Sequence, residues 1–150
     1  MGEIGAGAAK EKLVEMKKKM KLTNVFIFEP VPRSSLPEIW KAVNALFLPL
    51  LNLEWNKGVV PAKSFEAMAM KVPILLGAEG EAKEFFIDEA KAGLSFIPED
   101  TEDFVKRVMY LFNNRDECIK MGESGRNYVM KNFERTTITN NFYDFLKSLA

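Results

Sequence analysis

Residues 45–76 read ALFLPLLNLEWNKGVVPAKSFEAMAMKVPILL, and two periodicities alternate inside them. Ala45-Leu46-Phe47-Leu48 is apolar at consecutive positions, which predicts a strand buried on both faces. Lys63–Lys71 carries helical spacing, and Pro73-Ile74-Leu75-Leu76 returns to an unbroken apolar run. Strands with two apolar faces need a helix layer on each side of the sheet, and the helix between them supplies the crossover. Right-handed crossovers of this kind build a parallel, Rossmann-like layer.

The same alternation extends outward. Val25-Phe26-Ile27-Phe28, ended by Glu29-Pro30, predicts a further buried strand, and so does Leu94-Ser95-Phe96-Ile97. Leu13, Met16 and Met20 fall at helical spacing in a Lys/Glu-rich segment. Ser35-Leu36-Pro37-Glu38 has the form of a capping box, predicting a helix to about Val43. Glu81–Lys91 reads as a helix closed by Gly93, and Asp100 as the cap of a helix carrying Phe104, Val108, Leu111 and Phe112. The remainder reads as helical, with Ile138, Phe142, Phe145, Leu146 and Leu149 in one stripe on the last helix. The fold class expected is α/β: a Rossmann-like parallel sheet flanked by helices, with a helical C-terminus, in one domain over 1–150. No strand is predicted ahead of Gly5-Ala6-Gly7, although glycines opening a helix in such folds normally follow one. These glycines are therefore expected in a flexible terminus, and the domain is expected to lack its first strands.

Composition narrows the function classes. At 150 residues the chain fits one domain that buries roughly 70% of its unfolded surface. It is 47% hydrophobic and 28% charged, which is ordinary globular composition. Its 21 basic and 21 acidic residues give no overall attraction to nucleic acid or anionic lipid. With no His, a Ser-His-Asp triad, a Cys-His dyad and His-containing zinc sites are excluded. The single cysteine, Cys118, excludes an internal disulfide, suits a reducing cytoplasm and is expected to be a structural thiol. No apolar run approaches the ~18 residues of a membrane span, and Met1–Lys10 lacks a signal-peptide pattern. Lys17-Lys18-Lys19 shares its helix with Glu11 and Glu15 and reads as a solvated face. Met68, Met70, Trp40 and Trp55 read as core or loop anchors.

The connection Asn52–Glu66 is the most informative for chemistry. It leaves the C-terminal end of a strand and enters a helix, the edge at which open α/β sheets bind ligands. The helix start near Ala62–Ser64 offers unpaired amides to a phosphate, and Lys57 and Lys63 add positive charge. Glu66, one turn in, can accept hydrogen bonds from sugar hydroxyls. The same residues also read as solvated lysines and a carboxylate favoured by the helix dipole, and spacing alone leaves both readings open. Glu79-Gly80-Glu81 either lines the same crevice or caps the next helix.

Taken in order, GAGAAKEKL, LTNVFIFEPVPRSSLPEIWKAVNALFLPL, VVPAKSFEAMAMKVPILLG, EGEAKEFF, AGLSFIPED and MGESGRNYVMKNF resemble the C-terminal, donor-binding domain of GT-B glycosyltransferases of family four (group 1). PAKSFEAMAMKVPIL is most similar to the branch that includes bacterial amino-sugar transferases of surface polysaccharides. The resemblance implies a partial donor domain that holds a nucleotide-diphosphate sugar, opposite an N-terminal acceptor domain that these residues do not include. It assigns Glu66 to the ribose, the stretch Lys57, Gly58, Val59, Val60 and Lys63 to diphosphate and sugar, and Val31 to the base. The family's earlier glutamate, eight positions before the later one, is replaced by Gly58, so the donor-sugar contact does not carry over and no catalytic residue is assigned. No metal or other cofactor is implied.

The function expected is a cytoplasmic glycosyltransferase fragment, associated with the inner face of the membrane only through the full-length enzyme. Its parent would transfer a sugar from a nucleotide-sugar to a hydroxyl acceptor in surface-polysaccharide or glycan biosynthesis. The isolated chain is expected to be inactive and to form a homodimer, with no nucleic-acid partner. The alternative is a non-catalytic Rossmann-like interaction or nucleotide-binding module.

Overall fold

The computed structural model describes residues 1–5 and 7–149. It contains two compact units, Met1–Ile39 and Trp40–Ala150.

The first unit holds β1 (Gly2–Ile4), α1 (Lys10–Lys19) and β2 (Phe26–Phe28). β1 and β2 pair in parallel, with Gly2 opposite Phe26 and Ile4 opposite Phe28. A strand therefore does precede Gly5, contrary to expectation. Its three residues, Gly2-Glu3-Ile4, offer no apolar run for a periodicity to register, and pairing with β2 defines it instead. Ala6 lies outside the described residues, but Gly7 leads straight into α1, its carbonyl accepting from the Lys10 N–H at 3.0 Å. α1 ends in a Schellman turn, with the Lys21 N–H on the Lys18 carbonyl and the Leu22 N–H on the Lys17 carbonyl. Lys21, at φ 51, stands where glycine is commonest, and its charge sits at the negative end of the helix dipole.

β2 is not the buried strand that its run of apolar residues predicts. Phe26 and Phe28 are 52% and 51% exposed, their rings stacked on each other at 6.3 Å. An apolar run is buried only where a second layer covers it, and no described residue of this unit is buried. Beyond β2, Arg33–Ser35 form a 3-10 turn closed by the Ser35 N–H on the Pro32 carbonyl. Ser35 thus lies inside a turn rather than standing as an N-cap, and α2 (Leu36–Ala42) begins after it.

The second unit carries β3 (Leu46–Pro49), α3 (Ala62–Ala69), β4 (Ile74–Gly77), α4 (Glu81–Lys83) and β5 (Gly93–Ser95), followed by α5 (Thr101–Asn113), α6 (Arg115–Asn132) and α7 (Arg135–Ser148). The sheet order is β3-β4-β5, and both pairings are parallel. Every residue of β4 is buried. Ile74 and Leu76 join Leu48, Met68, Phe86 and Val129 in one cluster, while Leu75 joins Phe96 and Leu111 in another. A strand with both faces covered needs apolar side chains at every position, which is the pattern in Pro73–Leu76.

Several boundaries move for identifiable reasons. α3 stops at Ala69 because Lys71 takes a left-handed conformation (φ 59) and Val72 donates to the Ala67 carbonyl. After one α turn, α4 widens into a π-helical segment, Glu84–Glu89, and the Ala90 N–H closes on the Phe85 carbonyl. Gly93, expected as a helix cap, opens β5, where a Cβ would overlap the Ile74 carbonyl; Lys91 (φ 50) takes the left-handed position instead. β5 ends at Ser95, and the exposed Ile97 donates its N–H to Asp103 at 2.9 Å. Asp100 caps α5 as expected, accepting from the Asp103 N–H at 2.9 Å. α6 crosses α3 through two glycines. A Cβ at Gly122 would overlap the Lys71 carbonyl, and one at Gly125 would lie 2.9 Å from the Ala92 Cβ.

Candidate functional site

The C-terminal ends of β3 and β4 set the frame. Leu50, just past β3, donates to the Gly77 carbonyl at 2.8 Å, so the two strands release their loops side by side. The first loop turns through a 3-10 segment, Glu54–Gly58, held by the Asn56 side chain on the Leu51 carbonyl at 2.8 Å. Val59 is extended, and Pro61 stands at the N-cap of α3. Proline has no side-chain oxygen, so the first turn of α3 has no side-chain cap. The Ser64 N–H, expected to be unpaired, donates to the Pro61 carbonyl at 3.0 Å, and the positive end of the helix dipole lies at the end of this loop, where an anion is favoured.

The residues expected around that helix start are brought onto one loop-and-helix segment. Lys57 pairs with Glu54 at 2.7 Å, and the hydrogen bond and charge of Glu54 hold its ammonium above the ordinary lysine value. The pair is exposed and screened by solvent, so it is easily exchanged for another anion. Gly58 and Val59 are exposed, while the partly buried Val60 packs against the larger core cluster and anchors the loop. Lys63 lies exposed in the first turn of α3 and the half-buried Glu66 follows one turn later, a spacing that puts both on one side of the helix. Val31 is exposed and follows β2 in the first unit, outside this segment.

One contributor was only half visible in the sequence. Gly80, at φ 74, is the N-cap of α4, and a Cβ on it would overlap the Lys57 backbone. The β3–α3 and β4–α4 loops therefore touch backbone to backbone, and a shallow hollow forms between Leu50, Asn52, Asn56, Lys57, Glu79 and Pro98. Glu79 lines the hollow and Gly80 stands at the N-cap of α4, so the Glu79-Gly80-Glu81 segment takes both roles that it offered. Ser64 is fully buried beneath the helix start, and its hydroxyl has no hydrogen-bond partner among the described residues.

Other singled-out residues sort by burial. Met68 is core, whereas Trp55 is 74% exposed. Cys118 donates to the Leu111 carbonyl at 3.2 Å, and burial pushes its thiol up, away from nucleophilic character. Arg126 holds the Ala69 carbonyl at the end of α3, and Tyr128 donates to Glu89. Burial, with Glu89 beside it, pushes the Tyr128 phenol up to about 12. These contacts brace α6 against the layer that carries the helix start.

Amide dipoles and two lysines, next to a half-buried carboxylate, suit an anion joined to a hydroxyl-bearing group. No curated protein sequence matches the chain. Among solved structures it resembles sucrose-phosphate synthase from Thermosynechococcus elongatus, with TM-score 0.79 and 19% identity over 95% of this chain and 35% of that one. It also resembles S. aureus TarM, solved with fondaparinux, alpha-GlcNAc-glycerol and UDP, with TM-score 0.77 and 16% identity over 95% of this chain and 28% of that one. A third neighbour is Anabaena HepE, solved with UDP, with TM-score 0.77 and 14% identity over 98% of this chain and 40% of that one. At these identities the likeness speaks for the fold alone, and the chain spans well under half the length of each neighbour. The family signature of the glycosyl transferases group 1 matches residues 4–128, so the chain belongs to the group 1 glycosyl transferases.

Proposed function

We propose that this chain is a donor-binding domain holding a nucleotide-diphosphate sugar at the start of α3, within an enzyme that transfers the sugar to a hydroxyl acceptor. The observation that supports this most is the helix start without a side-chain cap at the C-terminal edge of a parallel sheet, flanked by Lys57 and Lys63 and followed by Glu66. In this reading the amides and lysines offset the charge of the leaving diphosphate, which is where such transfers need stabilisation, and no metal is called for. Glu66 accepts from ribose hydroxyls. The PAKSFEAMAMKVPIL segment favours an amino-sugar donor and a role in surface-polysaccharide or glycan synthesis. The acceptor belongs on a second domain, and the transferring enzyme works in the cytoplasm at the inner face of the membrane. No helix among the described residues is long and apolar enough to cross a membrane. The exposed stripe Ile138, Phe142, Phe145, Leu146 and Leu149 gives that second domain, or a second copy of this chain, an apolar surface to cover.

Calorimetric titration with uridine and guanosine diphosphates tests the reading. Binding near 1 mM, or about −4 kcal/mol, is expected. Glu66→Ala should weaken it by about 1.5–3 kcal/mol, the typical worth of hydrogen bonds to a charged group. The same change should cost the fold no more than ~1 kcal/mol, since a carboxylate near a helix start contributes about that much. A folded chain that binds neither nucleotide at several times that concentration would remove the donor-site reading and leave a non-catalytic module.

A further inference from the structure

Lys10–Leu22 carries six lysines against two glutamates, in a chain whose total net charge is zero. Two of the six, Lys10 and Lys12, lie in the first turn of α1, where Lys10 pairs with Glu29 at 2.6 Å. Lys17, Lys18, Lys19 and Lys21 gather where the helix ends. There a groove of about 460 Å³ opens inside the first unit, with the half-buried Val14, Leu22 and Ile27 as its apolar surface and Lys17, Lys18 and Lys21 around it. Lys18 and Lys21 are exposed, and between Lys19 and Lys21 stands Met20, 59% exposed. A solvated helix face explains the lysines but not an aliphatic groove with an exposed methionine in their midst.

We propose that this lysine-rimmed groove docks the chain on the surface of a bilayer that bears anionic headgroups. Lysines whose hydrocarbon stems lie along apolar surface place their ammonium groups at headgroup level, while Met20 and Leu22 reach the interfacial region. Attraction from clustered lysines acts locally, so zero net charge over the chain does not oppose it. A nucleic-acid partner fits less well, because the one aromatic ring beside these lysines, Phe26, is already engaged by the Lys17 ammonium at 5.6 Å and by the ring of Phe28. The inference stands on this unit alone and is independent of the donor-site reading.

Co-sedimentation with vesicles tests it. The chain should bind vesicles of phosphatidylcholine mixed with phosphatidylglycerol, and should not bind phosphatidylcholine alone. Binding should vanish at about 1 M salt, where screening acts over roughly 3 Å. The variant Lys18→Glu/Lys19→Glu/Lys21→Glu, its fold checked by circular dichroism, should bind roughly a hundredfold more weakly or worse. Lys21→Gly relieves a positive φ and so should fold at least as well, and it should weaken binding about fivefold. Reversing Lys91, Lys106 and Lys131 instead should leave binding unchanged. Equal binding to neutral vesicles, full binding by the triple variant or by Lys21→Gly, or an equal loss from the distant reversals would overturn the proposal. So would tighter binding to a mixed-sequence oligonucleotide than to the anionic vesicles.

Discussion

The two units use the same ingredients to opposite ends. Each pairs parallel strands with a helix between them, yet β4 in the second unit is buried throughout while β2 in the first exposes half of Phe26 and Phe28. All the buried side chains among the described residues belong to the second unit. Strand character is a local property of apolar, aromatic sequence, whereas burial is a property of what covers the strand. β4 is covered by phenylalanines and leucines from both directions; β2 has a helix and its own stacked rings. The unit with a core also carries the candidate site, because backbone held from both faces of a sheet positions loops more rigidly than backbone held from one.

The largest test of this contrast removes one phenylalanine from each unit. Phe86→Ala should cost about 3–5 kcal/mol, the usual price of emptying a fully buried aromatic site. Phe26→Ala should cost about 1 kcal/mol or less, since half its surface is already in water. Denaturant unfolding of both variants measures the difference, and equal losses would break the comparison.

Next in size is the crossing of α6 over α3. Gly122→Ala pushes a methyl group into the Lys71 carbonyl and should destabilise the second unit by about 1–3 kcal/mol. A neutral result would mean that α6 does not approach as closely as described. Ser64→Ala should move stability the other way. Its buried hydroxyl lacks a described partner, and such groups cost about 1–3 kcal/mol in protein interiors, so the alanine variant should melt higher. Loss of stability would show that the hydroxyl is engaged.

The smallest effect sharpens the boundary of the core. α7 lies in the second unit by sequence but contains no buried residue, so its order should depend on local caps, as in the first unit. Glu134 accepts from the Thr137 N–H at 3.0 Å, and the backbone N–H groups of Thr136 and Thr137 hold its carboxyl below the ordinary glutamate value. A carboxylate with a depressed native pKa stabilises above its unfolded value and loses that contribution as pH falls through the native one. Helicity of α7 should therefore fade first below about pH 4, the unfolded glutamate range. Glu134→Gln should flatten that loss. A pH-independent α7, followed by residue-resolved chemical shifts, would contradict the capping role.

Much of this was legible in the sequence, and the exceptions share a cause. β3, β4, the helix between them and the Asp100 cap were readable because each is specified by residues close in the chain. The loop with Lys57, Lys63 and Glu66 was readable for the same reason, since one strand, one turn and one helix place it. What could not be read depends on distant partners. β1 is a strand because β2 pairs with it; Gly93 and Gly122 matter through the carbonyls of Ile74 and Lys71; Gly80 meets Lys57 across two loops. Lysines at left-handed positions, Lys21, Lys71 and Lys91, hid helix ends where glycine would have announced them.

Amide hydrogen exchange of the 150-residue chain, with and without uridine diphosphate at several times its dissociation constant, tests the central claim most directly. The account predicts new protection across Val59–Glu66 and at Glu79-Gly80, with Gly2–Phe28 unchanged. Saturating nucleotide that leaves Val59–Glu66 unprotected, or protects only the first unit, would contradict it.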